Sequence, residues 1–433
     1  MPSFPRTDLG PLTRRSALAA LGLTGTAIGL AACTGGKGPS GTAPSGGQSP
    51  DAPPPKAKVT ITEPATAATE VPASAEIVFA ATDAVSTQVV LKDAAGADVP
   101  GEMHPDGKGW LPAKALAYGT AYTVTVTATG DDGRPATATS TFTTMAQPDK
   151  TVRVVSFLPD GAVVGVGMPL IFRLSRKIPQ AQRAALQRRL LVQTTPVQEG
   201  IWTWYTDDEL HWRPREFWQA GTKVFVDVRA GGLPLGDGFF GARNSTLTCS
   251  IGRSLVMTID DKAKPKVMKV VKDGVTVRTI KVSLGRASMP SSSGTTVIIE
   301  RLAKTVFDTT SDPNPNNRYR TNIVYAQRLT WGGEFIHAAP WSVKDQGVRN
   351  VSHGCVNMST ADAKWLFEQT MIGDPVITKG TPRKLQYGNG WTDFDKPWDE
   401  YVKGSAIPYE PSPGASPSPD ASPSPDASPS PAA

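Results

Sequence analysis

Phe335-Ile336-His337-Ala338-Ala339-Pro340-Trp341 and, after a short loop, Ser352-His353-Gly354-Cys355-Val356-Asn357 are the stretches on which the reading of this chain turns. The first reads as a short apolar strand carrying a histidine, the second as a glycine-containing loop that delivers a cysteine. A thiolate is the attacking form of cysteine and needs a nearby base at neutral pH, and that base needs a third group to orient it. Cys355 is therefore a candidate nucleophile and His337 a candidate base. Gly354 lets backbone approach a substrate carbonyl closely, and the amides around Cys355 can point at a developing oxyanion. The bland alternative is a buried thiol beside a structural histidine; the spacing to His337 and the signs of export weigh against it.

Working outward, Ser359-Thr360-Ala361-Asp362 resembles a capping box that opens a helix over 363–371, ended by Gly373 and Pro375. The helix adds a modest positive dipole near Cys355, weakened because the cap lies four residues further on. Upstream the chain is strand-rich, with runs at 255–260, 267–271, 276–283, 295–299, 325–329 and 334–337, and Lys272-Asp273-Gly274 marks a hairpin. Residues 253–380 thus read as a mostly β domain with one helix behind its best motif. Tyr387, Trp391, Phe394, Trp398 and Tyr401 are too apolar for a free tail, so 381–408 is expected to pack on that domain. The Ser/Pro repeat over 409–433 cannot form a core and reads as disordered.

Two β units precede this domain. Over 58–147, short alternating segments such as Tyr122-Thr123-Val124-Thr125-Val126-Thr127 are separated by turn chemistry at Asp131-Asp132-Gly133. That spacing predicts an immunoglobulin-like sandwich, without the Cys…Trp…Cys pattern of antibody domains. Over 148–252 a second sandwich is expected, with strands at 153–157, 170–174 and 223–228 and a helix over 180–190. Its alternating aromatics, Trp202, Trp204 and Trp212, could form a carbohydrate-binding face, although filling a small sandwich core is the commoner use. His211 reads as a surface or core histidine rather than a ligand, and Cys249, in a strand-like run, as a buried free thiol.

The first residues are an export signal: Arg14-Arg15, an apolar run over 17–32, and Leu30-Ala31-Ala32-Cys33. Ending in cysteine, this 1–33 segment resembles a bacterial lipobox, which predicts lipidation of Cys33 and a location outside the plasma membrane, facing the cell wall. Thr13-Arg14-Arg15-Ser16 also looks like a twin-arginine signal, so the export route stays open. Residues 34–57 are mostly Gly, Ser, Pro and Thr, a flexible spacer. With 45 basic and 39 acidic residues, a net charge of +6 has no basic stripe and gives no sign of a nucleic-acid partner. Four histidines and three cysteines show no zinc-type spacing, and no nucleotide-binding loop is evident, so neither metal nor cofactor is expected.

His337, fourteen intervening residues and the Ser352–Asn357 run resemble the signature of the L,D-transpeptidase catalytic domain, also called the YkuD domain. Ser283-Leu284-Gly285 and Met289-Pro290 fit the same resemblance, although Ser291 and Ser292 stand where a Thr-Pro pair is often seen, a departure that touches loop detail. The resemblance extends to lipid-anchored members with two immunoglobulin-like domains, and covers about 58–401. It implies a mainly β architecture: two sandwiches, then a YkuD-type domain with a short helix after the cysteine. It implies that Cys355 attacks the third residue of a peptidoglycan stem tetrapeptide, expels D-alanine and passes the acyl group to a second stem as a 3→3 cross-link. His337 would take the thiol proton, oriented by the main-chain oxygen of Ala338, where a side chain of serine is common. The resemblance also sets Gly354 and His353 near the oxyanion and Tyr319, Ser352 and Asn357 near the substrate; for His353 and Asn357 a loop-stabilising role is an open alternative. Carbapenems are expected to acylate Cys355. Papain-type and NlpC/P60-type peptidases place cysteine before histidine, the reverse of the order here. An L,D-carboxypeptidase using the same site, or a non-catalytic wall-binding scaffold, remains as a rival reading.

Overall fold

The alternation of threonine with valine in the first sandwich follows from sheet geometry, because successive side chains point to opposite faces. The computed structural model of this chain describes residues 53–104 and 107–410. Cys33 and its leader, most of the spacer, and the chain beyond residue 410 lie outside the described residues. In the strand Ala121–Thr129, Tyr122, Val124, Val126 and Ala128 are buried and the threonines face outward. This strand pairs antiparallel with Pro135–Thr144 in a five-stranded sheet that faces a four-stranded one. Tyr122 stacks on Phe142 at 5.6 Å, and its hydroxyl accepts from the Ala117 N–H at 2.9 Å, so the phenol is buried with its polar end satisfied.

The second sandwich packs the sheet Val154–Ser156, Leu170–Leu174, Glu209–Pro214, Gly200–Thr206 on the sheet Ala162–Val164, Ser245–Ile251, Lys223–Val228, Leu190–Thr195. Its tryptophans fill the core: the Trp202 and Trp218 indole N–H groups donate to the carbonyls of Leu190 (2.8 Å) and Met168 (2.7 Å). Gly200 makes room for Trp212, since a Cβ there would lie 2.3 Å from the indole. Cys249 faces the same core as a free thiol, and burial pushes its pKa up to about 11. The helix is shorter than expected, Gln180–Gln187, and starts after Pro179 without a side-chain cap.

In the third domain a six-stranded sheet and a four-stranded sheet pack over a core of Leu255, Met257, Met268, Ile336, Met358, Leu366 and Val376. The helix Thr360–Gln369 begins where the capping box places it: Ser359 Oγ accepts from the Asp362 N–H at 3.1 Å. The strand Glu300–Asp308 has no counterpart in the sequence reading, because its residues, ERLAKTVFD, are half-buried or exposed and show no apolar face. It pairs over its length with Arg320–Arg328, and together they form a long ribbon beside the His337 strand.

The third domain and the second sandwich share a core, because Val297, Ile299 and Trp391 join the sandwich cluster. Gly165 N–H donates to Ile372 O and Gly167 N–H to Gly373 O, both at 2.8 Å. The C-terminal segment meets the catalytic domain, where Arg383–Lys384 pairs with Ser292 and Ser293 at the edge of the six-stranded sheet. It also touches that domain through Asp395 to the Thr295 N–H (2.6 Å) and Asn389 to the Gly332 N–H (2.7 Å). Its most buried groups, however, lie on the second sandwich. Thr203 donates to Tyr401 O (2.9 Å), Tyr205 to Gly390 O (2.8 Å) and Arg213 to Lys396 O (2.8 Å), and Asp393 meets His211 (2.8 Å). The segment is a strap across both domains, held to the sandwich because that domain offers the buried polar partners.

Candidate active site

The strand Phe335–Ala338 carries His337 and runs parallel to Val356–Met358, with His337 opposite Asn357. Cys355 immediately precedes the second strand, so it lies two positions from His337's cross-strand partner and on the same face. Phe307 ties the two together. Its ring meets the His337 ring edge-on at 5.3 Å and packs against the buried cluster that contains Phe335 and Cys355. Phe307 lies on the strand that sequence reasoning missed, where a lone aromatic among charges was the available signal.

His337 is 4 % exposed, and its Nδ1–H donates to the Ala338 carbonyl at 2.8 Å. That bond fixes the tautomer and leaves Nε2 with a free lone pair, the acceptor a general base requires. Burial pulls the pKa of His337 down, against the opposing pull of the Ala338 carbonyl. Cys355 is 8 % exposed and its thiol donates to Gly333 O at 3.7 Å. Burial pushes the thiol up to about 12, the nearby Glu334 carboxylate adds to the rise, and the Phe335 amide works against it. Both shifts favour the uncharged forms, a thiol on Cys355 and an imidazole on His337.

Glu334 was not singled out by sequence, although a charged residue immediately before an apolar strand was a visible signal. Its carboxylate accepts from the Ser292 N–H (3.0 Å) and hydroxyl (2.7 Å) and pairs with Arg383 at 2.5 Å. Arg383 lies close to Gly354: a Cβ on that glycine would be 3.5 Å from the guanidinium. Gly354 has φ +123°, a backbone conformation that strains any other residue.

Ser352 and Asn357 take part in the hydrogen bonding of the nucleophile loop, the alternative left open for Asn357. Ser352 is buried, donates to Cys355 O at 2.6 Å and accepts from the Gly354 N–H at 3.1 Å. Asn357 is buried too, and its side chain donates to Ser342 Oγ at 3.2 Å. Both help hold the loop. The Gly354 N–H is thereby taken up within its own loop. Tyr319 and His353 are half-buried with ring centroids 5.1 Å apart. Tyr319 closes the base of the 309–319 loop: its carbonyl accepts from the Thr309 N–H and its N–H donates to Thr309 Oγ1, both at 2.9 Å. Burial lowers the His353 pKa and Arg286 adds to the shift, while Asp312 opposes it. Among the described residues no group of His, Cys, Asp and Glu could hold a metal ion.

Comparison with known proteins places this geometry in context. A model of the L,D-transpeptidase catalytic domain matches residues 256–378, and a model of a bacterial Ig domain matches 68–234, across both sandwiches. L,D-transpeptidase 2 of Mycobacterium tuberculosis is 34% identical over 401 residues, which cover 91% of this chain and 96% of that protein. L,D-transpeptidase 5 of the same species is 34% identical over 416 residues, covering 94% and 88%. Among solved structures, the LD transpeptidase LdtMt1 in complex with imipenem aligns with a TM-score of 0.46 at 29% identity, over 54% of this chain and 100% of that one.

Proposed function

Since the chain belongs to the L,D-transpeptidase family and is a peptidoglycan transpeptidase, we propose that it makes 3→3 cross-links through a thioester on Cys355, with His337 as the base. The observation that carries the assignment is the 2.8 Å bond from His337 Nδ1–H to Ala338 O, which leaves Nε2 basic on the face that Cys355 shares. Cys355 Sγ attacks the carbonyl carbon of the third stem residue while its proton passes to His337 Nε2. The C–S bond forms, the C–N bond to D-alanine breaks, and the imidazolium returns its proton to the leaving amine. The amine of a second stem then attacks the thioester and gives its proton to His337; a C–N bond forms, and the thiol is restored. The rings of Phe307 and Phe335, 4.7 Å apart, cover one side of His337 with apolar surface, which would favour the amine over hydrolysis.

The same chemistry opens a strained lactam, so carbapenems such as imipenem would acylate Cys355. Leu30-Ala31-Ala32-Cys33 supports a lipid on Cys33 and a position outside the plasma membrane, facing the wall. The test is mass spectrometry of a disaccharide tetrapeptide incubated with the ectodomain beside its Cys355→Ala variant. A dimer that has lost one alanine, made only by the unmodified enzyme, is the expected product; tripeptide alone would mean a carboxypeptidase. Loss of acyl labelling and of membrane retention in Cys33→Ala would check the anchor.

A further inference from the structure

Ser291 lies 63 residues before Gly354 oxygen's own position in the chain, yet its hydroxyl donates to that carbonyl at 2.7 Å. The same Oγ accepts from the Gly285 N–H at 3.0 Å, and the side chain is 2 % exposed. The segment from Ser283 to Ser291 is zipped along the nucleophile loop. Ser283 and Asn357 exchange backbone bonds (3.0 and 2.9 Å), Ser352 N–H reaches Leu284 O (3.0 Å), and Arg286 N–H reaches Ser352 O (2.9 Å). Ser291 closes this brace at the peptide that joins Gly354 to Cys355. The sequence reading gave its position only loop detail; a buried hydroxyl in contact with the nucleophile's own peptide corrects that.

In a trans peptide the C=O and the N–H point in opposite directions, so whatever holds one aims the other. We propose that Ser291 is a positioning residue for acyl transfer: by holding the Gly354 carbonyl it fixes the plane that aims the Cys355 N–H at the oxyanion. Gly354 makes this help necessary, because a glycine at φ +123° can rotate its following peptide plane where other residues cannot. Ser352 holds the next plane through Cys355 O. The inference rests on Cys355 being the acylated nucleophile.

Acylation passes through an oxyanion, whereas alkylation by iodoacetamide displaces iodide at an sp³ carbon and forms none. Rates of Cys355 acylation by imipenem and of alkylation by iodoacetamide, both read by mass on the digest peptide that carries Cys355 and not on the one that carries Cys249, therefore separate aiming of the amide from supply of the thiolate. For Ser291→Ala, acylation should fall about ten- to a hundredfold, less than the loss of a whole oxyanion donor, while alkylation stays within about twofold of the unmodified enzyme. Ser291→Cys, a milder change with a weaker donor, should show the same selective loss and carries the test if the alanine variant does not fold. Equal loss of both reactions, or loss of neither, overturns the inference. Failure of the unmodified enzyme to acylate at Cys355 would instead overturn the assignment of the nucleophile.

Discussion

Two histidines are buried in this protein, and they end in opposite charge states. His337, in the active site, has one polar neighbour, the neutral Ala338 carbonyl, so burial prevails and its pKa falls. His211, at the junction of the second sandwich and the C-terminal strap, is 0 % exposed. Its Nδ1 lies 2.8 Å from Asp393 and its Nε2 2.7 Å from Glu209. Burial works against its charge as well, but the two carboxylates outweigh it and carry the pKa up to about 9. Both ring nitrogens then donate, and the imidazolium clamps the strap to the sandwich. Burial alone therefore does not assign a histidine its role; the charge of what it is buried against does. A base must be buried against a neutral acceptor, a clamp against anions.

The comparison is broken or sharpened first by removing each ring. His337→Ala should lower imipenem acylation by about 10² to 10⁴-fold, the range for loss of a general base, with a denaturation midpoint close to that of the unmodified protein. His211→Leu should do the reverse. It removes the imidazole partner of the buried Asp393, at a cost of about 3–5 kcal/mol in unfolding free energy, while acylation by the folded fraction stays within a few-fold. Abolished acylation in folded His211→Leu protein would mean that the clamp also sets the active site.

Proton titration should separate the pair next. Because the His337 pKa is depressed, the acid limb of the acylation rate should lie below the ordinary histidine value of about 6.5. A limb above that value would contradict a buried neutral base. For His211 the sign is opposite. Its folded pKa is raised, so its stabilisation is fully present below about pH 6.5, the unfolded value, and is lost as pH rises through about 9. Amide exchange over 391–401, corrected for intrinsic rates, should therefore accelerate above that pH relative to the catalytic core. The smallest effect concerns the active-site scaffold: Ser342→Ala removes the acceptor of the Asn357 side chain and should cost about 1 kcal/mol of stability.

What the sequence made legible were features carried by adjacent residues. The strands Leu170–Leu174, Lys223–Val228 and Leu255–Asp260 coincide with their expected bounds, because apolar alternation or an apolar run is a local property. The capping box placed Ser359 at the start of its helix for the same reason. Glu300–Asp308 escaped notice because an exposed ribbon needs no apolar face, only a partner strand, and Arg320–Arg328 supplies it. The family motif sets Ser352 and Asn357 beside Cys355, but a motif does not say which way a hydroxyl or an amide points. Glu334, Ser291 and Arg383 escaped for a related reason: the contact that matters for each lies elsewhere in the chain.

By itself the sequence determined the chemistry available to this protein, since the identity and order of His337 and Cys355 and the glycine between His353 and Cys355 are fixed by covalent succession. Only the tertiary structure decided how that chemistry is tuned. Asp393 reaches His211 across 182 residues and Ser291 reaches Gly354 across 63, and no periodicity or local propensity encodes either distance. Hydrogen-bond direction and desolvation depend on neighbours brought in by folding, so charge state and aim are properties of the packed chain, whereas the reactive groups are properties of the string.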